Sequence, residues 1–227
     1  EFAGVVLVER EGTLQAHSQR NLSQRLGPPY PIVPPDAIPL TNEMVTLVHQ
    51  IRHGAGNEVF AVVRGLLTRL GCEVIDLGVV RDEPALLEQA FRDAAAGADA
   101  IITSGGVSVG EADFTKAMMK KLGDVAFWRI AMRPGRPMAV GKIGDSVLFG
   151  LPGNPVAVMV TFLAFVRPAL LRMMGSRATA PLYLRARSAE AMRKKPGRTE
   201  YQRGTVVRTA DGSLEVRTTG NQGSGVL

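Results

Sequence analysis

The sequence predicts an α/β fold, in which a three-layer parallel or mixed sheet has helices on both faces and is followed by a partial small β-barrel domain. Buried strand patterns and amphipathic helix patterns alternate from Asn57 to Gly175. After Gly175 the helical spacing gives way to short runs in which polar and apolar residues alternate. Hydrophobic residues make up 45% of the 227 residues, which is enough to fill a core of this size.

The first 56 residues are the part of the chain that we leave unassigned. VVLVEREGTLQAH has the pattern of a hairpin, and GPPYPIVPPDAIP is typical of an extended, proline-rich linker. We therefore divide the chain into an N-terminal segment at 1–56, an α/β domain at 57–178 and a C-terminal β domain at 179–227. We expect this β domain to be truncated and the chain to be a fragment.

Helix caps set the first elements of the α/β domain. Asn57 is expected to cap a helix that ends at Gly71, and CEVIDLG follows as a buried strand. Asp82 is expected to cap a second helix, with Pro84 in its first turn and Gly97 at its end.

The later elements continue the alternation of strand and helix. A long apolar helix is predicted to follow LPGNP, with a kink at Pro168. In the C-terminal region, a hairpin turn is predicted at Asp211 and Gly212. The other predicted elements are, in order, the strand DAIITS, the helix DFTKAMMKKL, the strands VAFWRIAM, MAVGKI and SVLFGL, and the β segments YLRARSA, EYQRGTVVRTA and SLEVRTTG.

Composition excludes several classes of protein. The net charge is +6, of which residues 181–227 contribute nine Lys or Arg against four Asp or Glu. Aromatic residues are only 5% and form no RNA-binding motif, so we expect no nucleic-acid partner. Charges interrupt the apolar runs within about ten residues, whereas a membrane span needs about 18, so we expect no membrane association. Cys72 is the only cysteine, which excludes an intrachain disulfide and fits a reducing cytoplasm.

The predicted binding site lies where three strands lead into helices. These junctions are LGVVRDEP, TSGGVSVGEAD and GLPGNP. Open parallel sheets bind ligands outside the carboxyl ends of their strands. Gly105, Gly106 and Gly110 allow backbone amides to approach a ligand, and helix N-termini favour anions. Glycines in one loop alone indicate ordinary turns, whereas three junctions at one edge favour a phosphate site.

Carboxylates beside this glycine loop indicate a metal. Asp82, Glu111 and Asp113 lie at the same predicted edge, although Asp82 and Asp113 also suit simple helix capping. Magnesium takes one or two carboxylates together with phosphate oxygens. The combination therefore predicts a metal-bridged phosphate or pyrophosphate as the ligand, with Asp82 and Asp113 on the metal.

Arginines supply the positive charge that the glycine loop lacks. Arg133 and Arg136 flank a Pro-Gly turn, and Arg129 is predicted to share a strand face with Arg133. Guanidinium groups bind oxyanions in a bidentate manner, so we expect the three to bind an anion. A plain surface turn is the alternative. The three histidines, His17, His49 and His53, show no metal-ligand or triad spacing.

Five motifs carry a family resemblance. TSGGVSVGEADF, FWRIAMRPGRPMAVG, GLPGNPVA, PGRTEYQRG and TTGNQGS occur in this order. The chain from about Asn57 to Leu227 resembles the MoeA family, the molybdopterin molybdenumtransferases, which include the E domain of gephyrin. This resemblance implies a MogA-like molybdopterin-binding domain and the last step of molybdenum cofactor synthesis. In that step, molybdate enters the dithiolene of adenylylated molybdopterin with the help of Mg²⁺ or Zn²⁺, and AMP is released.

The resemblance also implies roles for individual residues. Asp82, Asp113 and the adjacent Glu111 correspond to functional acids, and Arg203 and Ser224 to residues that reach in from the β domain. The substrate-binding residues that it implies are Gly105, Gly106, Ser108, Gly110, Arg129, Arg133, Arg136, Pro152, Gly153, Asn154, Pro155, Arg203 and Ser224. It implies a homodimer and a partnership with a MogA-type adenylyltransferase.

Some features depart from the family pattern. Residues 1–56 do not resemble the PFDNSAMDGYA-type region of relatives, and Ala157 stands where many relatives have serine. Two alternatives therefore stay open: a MogA-like molybdopterin adenylyltransferase, and a molybdopterin-binding module without turnover. VGEADF and the following β region speak against the adenylyltransferase.

Overall fold

The structure is a computed structural model that describes residues 4–8, 14–17, 44–49, 56–107, 114–177, 180–181, 183–194 and 196–223. Its strands, in chain order, are β1 (Gly4–Val8), β2 (Leu14–His17), β3 (Met44–His49), β4 (Glu73–Val79), β5 (Ala100–Ser104), β6 (Gly123–Arg129), β7 (Met132–Arg133), β8 (Pro137–Ile143), β9 (Ser146–Leu151), β10 (Leu184–Arg185), β11 (Arg187–Ser188), β12 (Thr199–Arg208) and β13 (Leu214–Thr218). The helices are α1 (Gly56–Leu70), α2 (Pro84–Gly97), α3 (Phe114–Leu122), α4 (Pro155–Thr161) and α5 (Arg167–Met173).

A six-stranded mixed sheet forms the centre of the α/β region, in the order β4-β3-β5-β9-β8-β6. The first four of these strands are mutually parallel, whereas β8 and β6 pair antiparallel at the other end. The predicted α/β fold with a mixed sheet is confirmed. Strand β3 lies between β4 and β5, so the sheet takes in part of the segment at 1–56 that the sequence left unassigned.

Helices cover both faces of this sheet. On β5, Ile102 packs into a core with Val63 and Phe149, whereas its neighbour Ile101 packs into a second core with Phe91. Successive side chains of a strand point to opposite faces, so these two residues divide the cores. The first core takes residues from α1 and α4 and the second from α2 and α3, which gives the predicted three layers.

The ends of the first helices agree with prediction more closely than their starts. The Gly71 amide donates to the Thr68 carbonyl at 3.1 Å and the Cys72 amide to the Leu67 carbonyl at 3.2 Å, which is a Schellman end. Gly71 adopts the left-handed conformation that this end requires, with φ of 87°. The predicted cap at Asn57 is wrong, because α1 begins at Gly56 and Asn57 is the second residue of the helix.

The long apolar helix is interrupted before Pro168, as predicted. A turn of wider, π-type winding at Phe162–Val166 separates α4 from α5. Proline lacks an amide hydrogen and its ring crowds the preceding turn, which explains the change in winding. By length and composition Pro155–Met173 could cross a membrane, with a mean hydropathy of 1.8 over a window that is 44% buried. Packing in the core explains why this helix is apolar. Val158, Phe162 and Leu170 lie in the first core and are at most 1% exposed.

The second sheet has the order β10-β2-β1-β12-β13-β11. The hairpin that VVLVEREGTLQAH predicts is confirmed as β1 and β2, and β1 pairs antiparallel with β12, from Gly4 opposite Gly204 to Leu7 opposite Tyr201. No local sequence pattern predicts this long-range pairing. The described strands form an open sheet, so the predicted barrel is not closed in this part of the chain.

Candidate functional site

The carboxyl ends of the parallel strands meet along one edge, which we call the rim. Strand register aligns Val79 with His49, His49 with Ser104, and Ser104 with Leu151. All three predicted loops therefore leave the sheet at the rim. Since loops on this edge are where open α/β sheets bind ligands, the predicted position of the site is supported by the topology.

Two of these loops lie directly against each other. The Gly105 amide donates to the Leu151 carbonyl at 3.0 Å, and the Ser104 hydroxyl donates to the Pro152 carbonyl at 3.3 Å. A Cβ added to Gly153 would lie 3.8 Å from the Gly105 Cα. Gly105 and Gly106 have φ of 90° and 69°, so the loop needs glycine at both positions. The GLPGNP and TSGG backbones thus form one surface.

The start of α4 is capped from within the chain. The Asn154 side-chain oxygen accepts hydrogen bonds from the amides of Val156 at 3.1 Å and Ala157 at 3.2 Å. Pro155 follows the cap and has no amide hydrogen to satisfy. The free helix N-terminus that we expected for an anion at this loop is thus occupied by Asn154. The sequence motif N-P followed by an apolar helix is the signal for this cap.

Asp82 lies on the rim but does not cap α2. The N-cap residue is Glu83, without a side-chain cap bond, and Pro84 occupies the first turn. The predicted capping role of Asp82 is therefore wrong, because the helix begins one residue later. Strand β4 is two positions from β5 in the sheet, so the strand ends that Asp82 and the glycine loop follow are about 10 Å apart along the rim.

The remaining predicted acids lie outside the described residues, as do three other predicted site residues. These five are Ser108, Gly110, Glu111, Asp113 and Ser224. In the part of the chain that the structure describes, no three His, Cys, Asp or Glu side chains form a metal-binding group.

The arginine loop, residues 129–136, follows β6, which is the edge strand at the other side of the sheet from β4. Strand β6 ends at Arg129, and the Ile130 amide donates to the Arg136 carbonyl at 2.8 Å, which closes the loop. The prediction that Arg129 and Arg133 share one strand is wrong, because the strand stops between them. All three arginines are exposed. A Cβ on Gly135 would lie 2.5 Å from the Thr161 Cγ2, so the loop packs closely on α4.

Asp82 and Arg133 share the rim but not one contact point. Five strand spacings separate β4 from β6, so the strand ends that precede Asp82 and the arginine loop are about 24 Å apart at roughly 4.8 Å per strand. Arg133 itself lies beyond β6, in β7.

The arginine loop is also joined to the second sheet. Strand β7 pairs in parallel with β12, with Arg133 opposite Glu200, and the Thr199 amide donates to the Ala131 carbonyl at 2.8 Å. Arg133 Nη1 lies 3.8 Å from Glu200 Oε1. Sequence reasoning missed Glu200, for which the only signal is its place before the QRG motif.

The side chain of Arg203 is buried and is not exposed at the rim. It is 4% exposed, and its Nη2 donates to the carbonyls of Asn221 and Gly223, each at 2.9 Å. Burial lowers the pKa of the Arg203 guanidinium below its ordinary value. The side chain that was expected to hold an oxyanion thus binds backbone carbonyls of its own domain.

Two family models match the chain in succession. A probable molybdopterin binding domain covers residues 43–172, more than half of the chain, and the MoeA C-terminal region (domain IV) covers 185–227. The chain belongs to the MoeA family. All five motifs fall within the matched residues, and the first match begins one residue before β3. The predicted resemblance is confirmed, and the C-terminal match disfavours the MogA-like alternative.

Named relatives and solved structures agree with this membership. The molybdopterin molybdenumtransferase of Haemophilus influenzae is 47% identical over 163 residues, which are 71% of this chain and 40% of that protein. The enzyme of the same name from Nostoc sp. is 33% identical over 81% of this chain and 43% of that protein. A MoeA protein from Pyrococcus horikoshii superposes with a TM-score of 0.58 and 25% identity, over 79% of this chain and 46% of that one. The MoeA chain described here thus spans less than half the length of these relatives.

Proposed function

We propose that this MoeA chain takes part in inserting molybdate into adenylylated molybdopterin, with release of AMP. The observation that carries the proposal is the contact between the Gly105 and Leu151 loops at the rim, within a chain whose two regions both match the family. Relatives with these regions are named molybdopterin molybdenumtransferase. The pyrophosphate of such a substrate suits backbone amides that glycines leave uncovered.

The residues would act mainly by positioning and by neutralising charge. Gly106 and Gly153 belong to the two loops that lie against each other, and their amides would bind a phosphate group. Arg129, Arg133 and Arg136, at the far end of the rim, would bind the molybdate oxyanion. Their exposure leaves the guanidinium groups accessible to an incoming anion.

Asp82 fits a divalent cation of the magnesium type. Asp82 is partly buried and lies just after β4 at the rim. Magnesium uses few protein carboxylates and completes its shell with water and phosphate oxygens, so a site without a three-residue group is compatible with it. Structural and catalytic zinc sites use at least three protein ligands, and the described residues hold no such group, so we propose Mg²⁺ first and Zn²⁺ as the alternative. Asp82 would hold the ion together with Asp113 and, nearby, Glu111.

A bound Mg²⁺ would neutralise the pyrophosphate and favour departure of AMP. For the surroundings of the reaction, we propose a homodimer, a MogA-type adenylyltransferase as supplier of the substrate, and a cytoplasmic location. The single buried Cys72 fits a reducing compartment. We propose neither a nucleic-acid nor a membrane partner.

The test is incubation of the protein with adenylylated molybdopterin, Mg²⁺ and molybdate. Release of AMP that requires molybdate supports the proposal. Binding of the pterin without release would identify a binding module instead. Formation of the adenylylated pterin from molybdopterin and ATP would identify an adenylyltransferase. Omission of molybdate is the matched control, since simple hydrolysis of the pyrophosphate would then persist.

A further inference from the structure

Trp128 is the only tryptophan of the chain and is 60% exposed. Among the residues that the structure describes, no other large apolar side chain is exposed to this extent. A single exposed apolar residue is ordinary on a protein surface, so the position of Trp128 decides whether it has a role. An exposed indole offers a flat aromatic face on which another planar ring can stack.

Strand register places Trp128 at the rim. Thr103 aligns with Gly150, and Gly150 aligns with Ala139. Ala139 in turn aligns with Phe127. Trp128 is the next residue towards the carboxyl end of β6, so it is level with the residue at which β9 ends. Strands β9 and β6 are two positions apart in the sheet, so these strand ends are about 10 Å apart at roughly 4.8 Å per strand.

Trp128 also lies on the face of the sheet on which the arginine loop packs. It is paired with Met138, which is 3% exposed and lies in the first core, to which α4 contributes. Paired residues of antiparallel strands point to the same face. The arginine loop contacts α4 through Gly135, and its Met132 shares an apolar cluster with Val160 of the same helix. The indole and the arginine loop therefore lie on one face, at one end of the rim.

We propose that Trp128 is the surface on which the pterin ring of the substrate stacks. This inference rests on the proposed function, because it divides the same substrate between two parts of the rim. In that function, the arginine loop binds the molybdate that enters the dithiolene. The dithiolene belongs to the pterin half of the substrate, so the pterin ring lies beside the arginines and the indole, while the AMP half lies beyond the pyrophosphate.

The charge around Trp128 favours this ligand over a second copy of the chain. Strand β6 is the outermost strand of the described sheet, and an edge strand can pair with another chain. A second copy would bring a net charge of +6 towards three exposed arginines. A ring that carries anionic groups would instead neutralise these arginines while it covers the indole.

The first measurement is the fluorescence of Trp128 during titration with molybdopterin, since the chain has no other tryptophan. Free tryptophan is the control for light that the pterin absorbs. We expect quenching that saturates with the pterin and that AMP alone does not cause.

Calorimetric titration with molybdopterin then compares Trp128→Ala with Tyr183→Ala. Tyr183 is the matched control because it is also an exposed aromatic residue, at 47%, and it lies next to β10 of the second sheet. Loss of ring stacking should raise the Kd for the pterin about tenfold in Trp128→Ala. The Kd should stay within about twofold of the wild type in Tyr183→Ala. Trp128→Phe keeps an aromatic face and should recover most of the affinity.

Three results would overturn the inference. One is binding of the pterin by Trp128→Ala with the affinity of the wild type, and another is binding by the wild type without quenching. The third is an emission maximum that shifts to the blue as protein concentration rises without ligand, because a second copy would then cover the indole. If the pterin binds on Trp128 but no molybdate is inserted and no AMP is released, the proposed function fails and the inference stands.

Discussion

The Gly105 amide and the Leu151 carbonyl are joined by a 3.0 Å hydrogen bond, which brings the ends of two adjacent parallel strands and their loops into one surface. Leu151 is completely buried, so this bond anchors the surface to the core. Gly150 and Gly153 lie on either side of Leu151 and Pro152, and they experience different surroundings. Gly150 faces the core, whereas Gly153 faces the neighbouring loop.

Alanine at these two glycines should separate stability from binding. A Cβ on Gly150 would lie 2.8 Å from the Val107 Cγ1 and 2.9 Å from the Ala139 Cβ, so Gly150→Ala should cost about 1–3 kcal/mol by overpacking. Gly153→Ala meets only an ordinary contact and should change stability by less than about 0.5 kcal/mol, while weakening pterin binding. Urea unfolding and equilibrium binding measure the two effects. Equal destabilisation by both would contradict the described packing.

Asp82→Asn should abolish most metal-dependent activity and leave the fold intact. The amide keeps one acceptor oxygen but loses the charge that a divalent cation needs. Glu83→Gln is the matched control, because Glu83 is the adjacent acid and makes no side-chain cap bond. The measurement is activity against Mg²⁺ concentration. The same loss in both variants, or a loss that extra Mg²⁺ does not alter in either, would remove Asp82 from the metal site.

Arg133→Ala should weaken molybdate binding about fivefold at low ionic strength, with a smaller effect at high salt, because the contact is an exposed charge–charge one. Glu200→Gln should strengthen binding, since Glu200 Oε1 competes for Arg133 at 3.8 Å. Arg187→Ala is the control, because Arg187 pairs with Glu215 on the second sheet at similar exposure, 75% against 70% for Arg133. Calorimetric titration with molybdate measures the affinity. Equal losses for both arginines would indicate a general charge effect.

The turn before β13 contains a carboxylate with a low pKa. Hydrogen bonds from the Thr209 hydroxyl and then from the Ser213 amide lower the pKa of Asp211 from 3.8 to about 2. A lowered pKa means that the folded state favours the charged form, so this contribution to stability is complete above pH 3.8 and disappears as pH falls through about 2. NMR titration of the carboxyl carbon should give a midpoint near 2. A midpoint near 3.8 would show that the turn does not form these bonds.

Local patterns predicted most of the α/β elements. SVLFGL is β9 from Ser146 to Leu151, and the Schellman end at Gly71 follows from a glycine after an amphipathic run. These features depend on neighbours within one or two turns, which a sequence displays directly. The glycine loops at the rim were predictable for the same reason.

Features that depend on distant partners were not predictable. The β1–β12 pairing joins residues about 200 positions apart, and β3 shows its role only through the strands on either side of it. The motif that contains Arg203 predicted an anion-binding side chain. In the structure the guanidinium donates instead to two backbone carbonyls that lie 18 and 20 residues later in the chain. Charge and motif thus indicated an important residue, whereas its physical role required the folded loop.

The most direct test of the account is the footprint of adenylylated molybdopterin on backbone amides, measured by NMR or hydrogen exchange. We expect protection or shifts at Gly105, Gly106 and Gly153, with smaller changes at the arginine loop. A footprint confined to the outer strands of the second sheet, with the rim glycines unchanged, would contradict it.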